Sequence, residues 1–312
     1  FRGEHMEKPI LFPKPELEFV FSMEYKTKDN YNLGKMAHDL NEIHTIKYGY
    51  VEGQLKGSFK EGSGNWITKT EADTIFFDGK YMVETEDKMI VPFDVNGTIL
   101  ADGVIRARVF FHSGHKKYQW LNQARIVAVG KQSGDCYRLD CYALENVATM
   151  DGKGIAFFEK PKLEHLYYIH VKVGEIMMAG NMAEGRHMVI PILEGCFEGD
   201  RVKGDVLHAG ADWNYMRFGI PMVSHVSTRY VLHTDDGAYI SLFTDGYMNM
   251  GIPGMIAMLK NKPDPLKTYF KQHLHYHTGD ERYTWMNKEL FMAIISPTPE
   301  QNICYDAYQV LF

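Results

Sequence analysis

Apolar and polar positions along this chain fall into short runs that alternate, or stay apolar, until Gly, Asp-Gly or Pro cuts them. His187–Leu193, Thr228–Thr234, Ala238–Phe243 and Tyr269–His277 are such runs, rich in β-branched and aromatic residues, and they predict strands. Asp235-Asp236-Gly237 stands between two of them as a hairpin turn, because Asp-Gly supplies the positive φ a tight turn needs. One stretch breaks the pattern. Gly254–Lys260 carries apolar residues three and four apart and is followed by Lys262, Pro263 and Pro265, so it predicts a short helix that cannot continue past the prolines.

The pattern is also written twice. Ser113-Gly-His-Lys-Lys-Tyr118-Gln-Trp120-Leu-Asn122 recurs 165 residues later as Thr278-Gly-Asp-Glu-Arg-Tyr283-Thr-Trp285-Met-Asn287. Tyr81-Met-Val-Glu-Thr85 recurs as Tyr230-Val-Leu-His-Thr234 at an offset of 149, and Asn65-Trp66 as Asp212-Trp213 at 147. Pro15 and Pro161 open the copies, and Asp140-Cys-Tyr142 and Asp306-Ala-Tyr308 close them. The domains are therefore placed at 13–146 and 159–312, joined through Asp151-Gly-Lys-Gly154. Because the offset grows from 149 to 165, the second copy holds 16 extra residues around Met248–Thr268, the region of the helix. About eight to ten antiparallel strands per copy leave a sandwich or a barrel, and a barrel is favoured because closure removes edges and leaves room for a small ligand. The fold class expected is all-β, two tandem antiparallel barrels with a short helix in the second.

Composition narrows the partners. The 312 residues carry 34 Lys and Arg against 40 Asp and Glu, a net charge of -6, which argues against nucleic acid or an anionic membrane as partner. No window of 18 or more apolar residues is present, so no membrane segment is expected. Four irregularly spaced cysteines, Cys136, Cys141, Cys196 and Cys304, point to reduced thiols and a cytoplasmic protein. Phe1–His5 is expected to precede the native start at Met6 and is set aside. The 19 Tyr, 18 Phe and 18 Met supply adaptable apolar surface, either as core or as pocket. Dinucleotide, P-loop, nucleophile-elbow and HExxH signatures are all missing, so no organic cofactor is expected.

Four ordered motifs, Gly195–Val206, Gly210-Ala-Asp-Trp213, Arg229–Gly237 and Tyr283-Thr-Trp-Met-Asn287, resemble the domain of unknown function 3237 family. The likeness spans nearly all of 161–312; the first copy looks like a diverged member, with Asn65-Trp66 for Asp212-Trp213 and Glu86-Asp87-Lys88 for Asp235-Asp236-Gly237. The resemblance implies a lipocalin-like β-barrel and no defined chemistry.

Candidate chemistry comes from the residues themselves. Asp212, beside Trp213, either braces a turn or, desolvated at a barrel mouth, serves as a general acid or base. Arg229 shares a strand face with Ser227, Val231 and His233, while Thr228, Tyr230 and Leu232 share the other; if the first face points inward, Arg229 holds an anion. His273, His275 and His277 share one face of a strand, read as lumen-lining or packing residues rather than a metal site, because neighbours on that face are about 7 Å apart. The Tyr283, Trp285 and Asn287 motif is read as a strand face, either core or an aromatic wall with one polar anchor. Met248, Met250, Met255 and Met258 either form a lid or pack a helix on the barrel end.

Together these support a cofactor-independent proton-transfer enzyme, an isomerase, cyclase or lyase acting on an aromatic or polyketide-like molecule. Its expected catalytic residues are Asp212, Arg229, His275 and His277; Trp213, Tyr230, Tyr283, Trp285 and Asn287 are expected to bind substrate, and no metal ligands are expected. The alternative is a non-catalytic carrier or sensor of apolar ligands. A structural role for the first copy, and self-association of the chain, are compatible with either.

Overall fold

The computed structural model describes residues 15–36, 39–70, 74–144, 154–219, 222–260, 262, 268–298 and 302–312. Phe1–His5 and Asp151–Lys153 lie outside them, as do Pro263, Pro265 and the side chain of Met258. Two compact units divide the chain, one built mainly of 16–162 and the other mainly of 163–311. Among the described residues no helix is long and apolar enough to cross a membrane.

The first unit runs β1 (Leu17–Met36), β2 (Asp39–Gly53), β3 (Gly57–Phe59), β4 (Gly64–Lys69), β5 (Ile75–Thr85), β6 (Ile90–Ile99), β7 (Val104–Phe111), helix α1 (Gln119–Gln123), β8 (Ile126–Ser133) and β9 (Cys136–Leu144). β1 pairs antiparallel with β9 on one side and β2 on the other, which closes the sheet into a barrel. β3 and β4 share one place between β2 and β5, so eight strand places ring the lumen.

The second unit repeats the plan as β10 (Lys162–Val173), β11 (Met177–Met182), β12 (Gly185–Glu198), β13 (Lys203–Arg217), β14 (Val223–Thr234), β15 (Tyr239–Asn249), helix α2 (Gly251–Leu259), β16 (Tyr269–His277), β17 (Leu290–Thr298) and β18 (Asn302–Leu311). Pairing of β10 with β12, Tyr168 opposite Glu198, closes the second ring. The two copies break their long strand at different points: β10 and β11 together follow the course of β1, while β13 is continuous where the first barrel has β3 and β4. The predicted helix is present and begins three residues earlier than the periodicity indicated, at Gly251.

Strand alternation explains each core. Along β14, Ser224, Val226, Thr228, Tyr230, Leu232 and Thr234 are buried in strict alternation with more exposed neighbours, and that face points into the lumen. The register Gly64 opposite Lys80 and Asn65 opposite Gly79 in the first barrel matches Ala211 opposite Arg229 and Asp212 opposite Thr228 in the second. Asn65 and Asp212 are thus the same strand position. Gly97 and Gly246 are a shared necessity, because a Cβ there would lie 2.2 and 2.1 Å from the carbonyl oxygens of Arg106 and Lys271 on the adjoining strand.

One end of each barrel is bolted shut by the same set of side chains. Thr234 donates to Asp236 at 2.5 Å, Tyr283 donates to Asp236 at 2.9 Å, and Arg282 lies 3.1 Å from the same carboxylate. In the first barrel Thr85, Tyr118 and Lys117 hold Asp87 at 2.5, 3.0 and 2.7 Å. Asn287 accepts from the Thr278 N–H at 3.0 Å and donates to its carbonyl at 2.8 Å, as Asn122 does for Ser113 at 2.8 Å on both sides. The Tyr-x-Trp-x-Asn segments are therefore not strand faces. They form α1 and a short 3-10 helix over Thr284–Asn287, and the spacing of two that imitates a strand arises in a single turn pinned by its Asn.

Candidate functional site

At the opposite end the second barrel opens into a cavity of about 440 Å³, reached past Ile176, which is 52% exposed, and lined by residues of nearly every strand of the ring. Its walls differ. β10, β12, β17 and β18 contribute Val171, Ile192, Ile295 and Ile303, whereas β13 to β16 contribute Asp212, Asn214, Thr228, Thr244 and Gln272. Met188, Met216, Met248 and Met250 line the cavity toward the mouth. Volume and mixed lining are those of a small-molecule site.

Asp212 is the centre of the polar wall. It lies within β13, not at a turn, and points inward because its cross-strand partner Thr228 does. Thr228 Oγ1 donates to Asp212 Oδ1 at 3.0 Å and Asn214 Nδ2 donates to Oδ2 at 3.0 Å. Burial pushes the carboxyl up to about 6; the hydrogen bonds from Thr228 and Asn214 and the nearby His225 pull the other way without cancelling it. A carboxyl so placed changes charge close to neutrality while facing an apolar space.

Beneath it lies a chain of phenols. Tyr230 and Tyr305 both line the cavity and are hydrogen-bonded to each other; Tyr305 bonds onward to Tyr167, and Tyr167 to Tyr276 at 2.5 Å. Desolvation holds all four hydroxyls well above their ordinary range, so they remain neutral donors. In the first barrel the corresponding positions are Phe21, Tyr81, Phe111 and Leu139, and no such chain can form.

Most of the expected site residues lie elsewhere. Arg229 is exposed on the outer face, its guanidinium 5.0 Å from the Phe243 ring, so it cannot hold an anion in the lumen. His275 and His277 are on the outer face of β16, 3.2 Å apart through Nδ1 and Nε2 and packed near Phe243, so neither can carry a proton to Asp212. His273 shares that face and is buried. Trp213, one residue from Asp212, is necessarily turned outward and is 36% exposed. Tyr283 and Asn287 belong to the bolted end, and Trp285 packs there under Arg201 at 3.9 Å. Of the nine expected residues, the lumen brings together Asp212 and Tyr230. Among the described residues no three His, Cys, Asp or Glu side chains come together as metal ligands.

Asn214, Thr228, Thr244, Gln272 and Tyr305 are the site residues that motif reasoning passed over. Their signal is plain alternation: each is an even step from an inward-facing Asp212, Tyr230, Leu242, Leu274 or Ala307 on its own strand.

Comparison with known proteins places both halves together. A family model described as protein of unknown function (DUF3237) matches residues 15–144 and 161–310. A UPF0311 protein of Rhodopseudomonas palustris strain TIE-1 is 30% identical over 155 residues, which is 48% of this chain and 99% of that protein. Among solved structures, a beta-barrel like protein from Acinetobacter baumannii AYE is 31% identical, covering 49% of this chain and 97% of its own with a TM-score of 0.43. A conserved protein of unknown function from R. palustris is 26% identical, covering 50% of this chain and 100% of its own with a TM-score of 0.45.

Proposed function

The chain belongs to the DUF3237 family in both its halves, and from that premise we propose that its second barrel is an enzyme moving protons on a largely apolar, ring-bearing small molecule of the aromatic or polyketide-like kind. One observation carries the reading: a carboxyl raised by burial to about 6 faces an apolar cavity of about 440 Å³ with two phenol groups below it. Such a carboxylate is a competent general base at neutral pH, and its conjugate acid can return the proton. The geometry suits isomerisation, cyclisation or elimination.

In this reading Asp212 removes a proton next to a substrate carbonyl or from a hydroxyl. Tyr230, accepting from Tyr305, donates to the oxygen where charge develops, being neutral and already oriented through Tyr305 by Tyr167 and Tyr276. Thr228 and Asn214 fix the carboxylate in one orientation. Return of the proton from Asp212 to a different atom completes an isomerisation or ring closure, and expulsion of a β-substituent completes an elimination. The apolar walls keep water from competing.

Asp212→Asn tests it. Asn already occupies the equivalent position 65, so the variant is expected to fold. Turnover of the substrate should fall by roughly 10²- to 10⁴-fold with ligand affinity nearly unchanged, and wild-type kcat/KM should rise with pH through an inflection near 6. Retained turnover in the variant removes Asp212 from the chemistry. The apolar lining by Val171, Ile192, Ile295 and Ile303 also favours a second reading, a carrier that binds without converting. Mass spectrometry of ligand recovered after prolonged incubation separates the two, since a carrier returns it unaltered.

A further inference from the structure

Two polar side chains on the cavity wall each hold an oxygen that is unmatched among the described residues. Asn214 is 6% and Thr244 4% exposed, both line the cavity, and Asn214 Oδ1 and Thr244 Oγ1 have no hydrogen-bond partner among the described residues. Asn214 has turned its amide nitrogen to Asp212, which leaves its carbonyl oxygen as a bare acceptor. Thr244 sits beside Thr228 in the register, so Asp212, Thr228 and Thr244 form one row across three adjacent strands, with Asn214 and Gln272 in the next row toward the mouth.

The sister barrel shows that the architecture does not require them. The positions matching Asn214, Thr244 and Gln272 in register are Ile67, Val95 and Ala107, all apolar and all buried in the first core. A buried acceptor left unmatched costs stability in any fold, and an apolar side chain is available at the same strand place without loss of the barrel. Polar atoms kept there are therefore matched by something that enters the lumen.

We infer that Asn214 and Thr244 select a ligand bearing a neutral hydroxyl, phenolic or enolic, set in an otherwise apolar ring system, with the hydroxyl donating to Asn214 Oδ1 and accepting from Thr244. The inference rests on the second barrel being a ligand site and adds to the proton-transfer reading the group by which that ligand is recognised. An anion does not suit the place, because Asn214 presents a carbonyl oxygen and Asp212 lies beside it. A pure hydrocarbon leaves both groups unmatched.

The test compares 2-naphthol with 2-methoxynaphthalene, the same ring with its donor capped, by titration calorimetry on the full chain. Wild type should bind 2-naphthol roughly tenfold more tightly, the difference expected for one hydrogen bond to a buried acceptor. N214I/T244V, carrying the first barrel's own apolar types, should lose that preference while remaining folded. The single variant Thr244→Val should retain most of it, since the acceptor Asn214 Oδ1 that distinguishes the two probes is still there. Equal affinity of wild type for the two probes, binding of neither, or a preference that survives in N214I/T244V overturns the inference. Asp212→Asn should leave the preference in place, so proton transfer and hydroxyl recognition fail separately.

Discussion

Asn65 in the first barrel accepts from Tyr81 at 2.5 Å and donates to Tyr25 at 3.3 Å, wholly enclosed, whereas Asp212 at the same strand position faces open space. The difference comes from a few neighbours. Tyr25 and Tyr137 stack at 4.8 Å across the first lumen, and the second has Val171 and Ile303 in their places. Gly79, where the second barrel has Thr228, lets Tyr81 lie over its own strand; a Cβ there would meet the phenol oxygen at 2.3 Å. Ring closure, the bolted end and the two glycines at Gly97 and Gly246 are common to both. Scaffold and cavity are thus separable in this fold: one copy fills its lumen with its own rings, the other leaves about 440 Å³ of it open.

That contrast can be broken from the first barrel. Y25V/Y137I should cost about 3–5 kcal/mol, the scale of large-to-small replacement in a packed core, read from urea unfolding. A loss below about 1 kcal/mol would mean the tyrosines do not plug this lumen. Asn65→Asp should cost about 3 kcal/mol at pH 8, where an unpaired carboxylate must be buried. Its folded-state pKa would be raised, so the loss shrinks as pH falls and the side chain protonates; melting curves at pH 5 and 8 check the sign. The shared end should respond alike: Asn122→Ala and Asn287→Ala each remove a two-sided loop brace and should lower stability by about 1–2 kcal/mol, whereas loss in only one copy would show the bolts to be unequal. The smallest effect concerns Asp212 itself. Because burial raises it from 3.8 to about 6, wild type loses stability as pH rises through that window. The melting temperature of Asp212→Asn should match wild type near pH 4 and exceed it at pH 8, and the reverse order would deny the desolvation.

Much of the fold was legible because a repeat fixes its own boundaries of similarity and β-alternation needs only residue type. The barrel, the insert and the helix at Gly251–Leu259 follow from those two signals. The site was half legible. Asp212 stood out as a carboxylate beside an indole, but motif density drew attention to Tyr283, Trp285 and Asn287, which repeat because they bolt a barrel end. Repetition between copies marks what both need, and the copies share a scaffold rather than a pocket. Arg229 was decidable in principle: its face carries His233 and Ser227, and the other carries Tyr230 and Leu232, so the polar face had the weaker claim to the interior. The phenol chain could not be read at all, since Tyr167, Tyr230, Tyr276 and Tyr305 are scattered over more than a hundred residues and meet only through ring closure.

The Thr234–Asp236–Tyr283–Arg282 bolt has a kinetic consequence. With that end sealed, whatever enters past Ile176 and the methionines must leave by the same door. Changes at the mouth should therefore alter the residence time of any molecule held there, while changes at the bolt alter only melting; if the proposed proton transfer holds, product and substrate share the passage and product should compete with substrate.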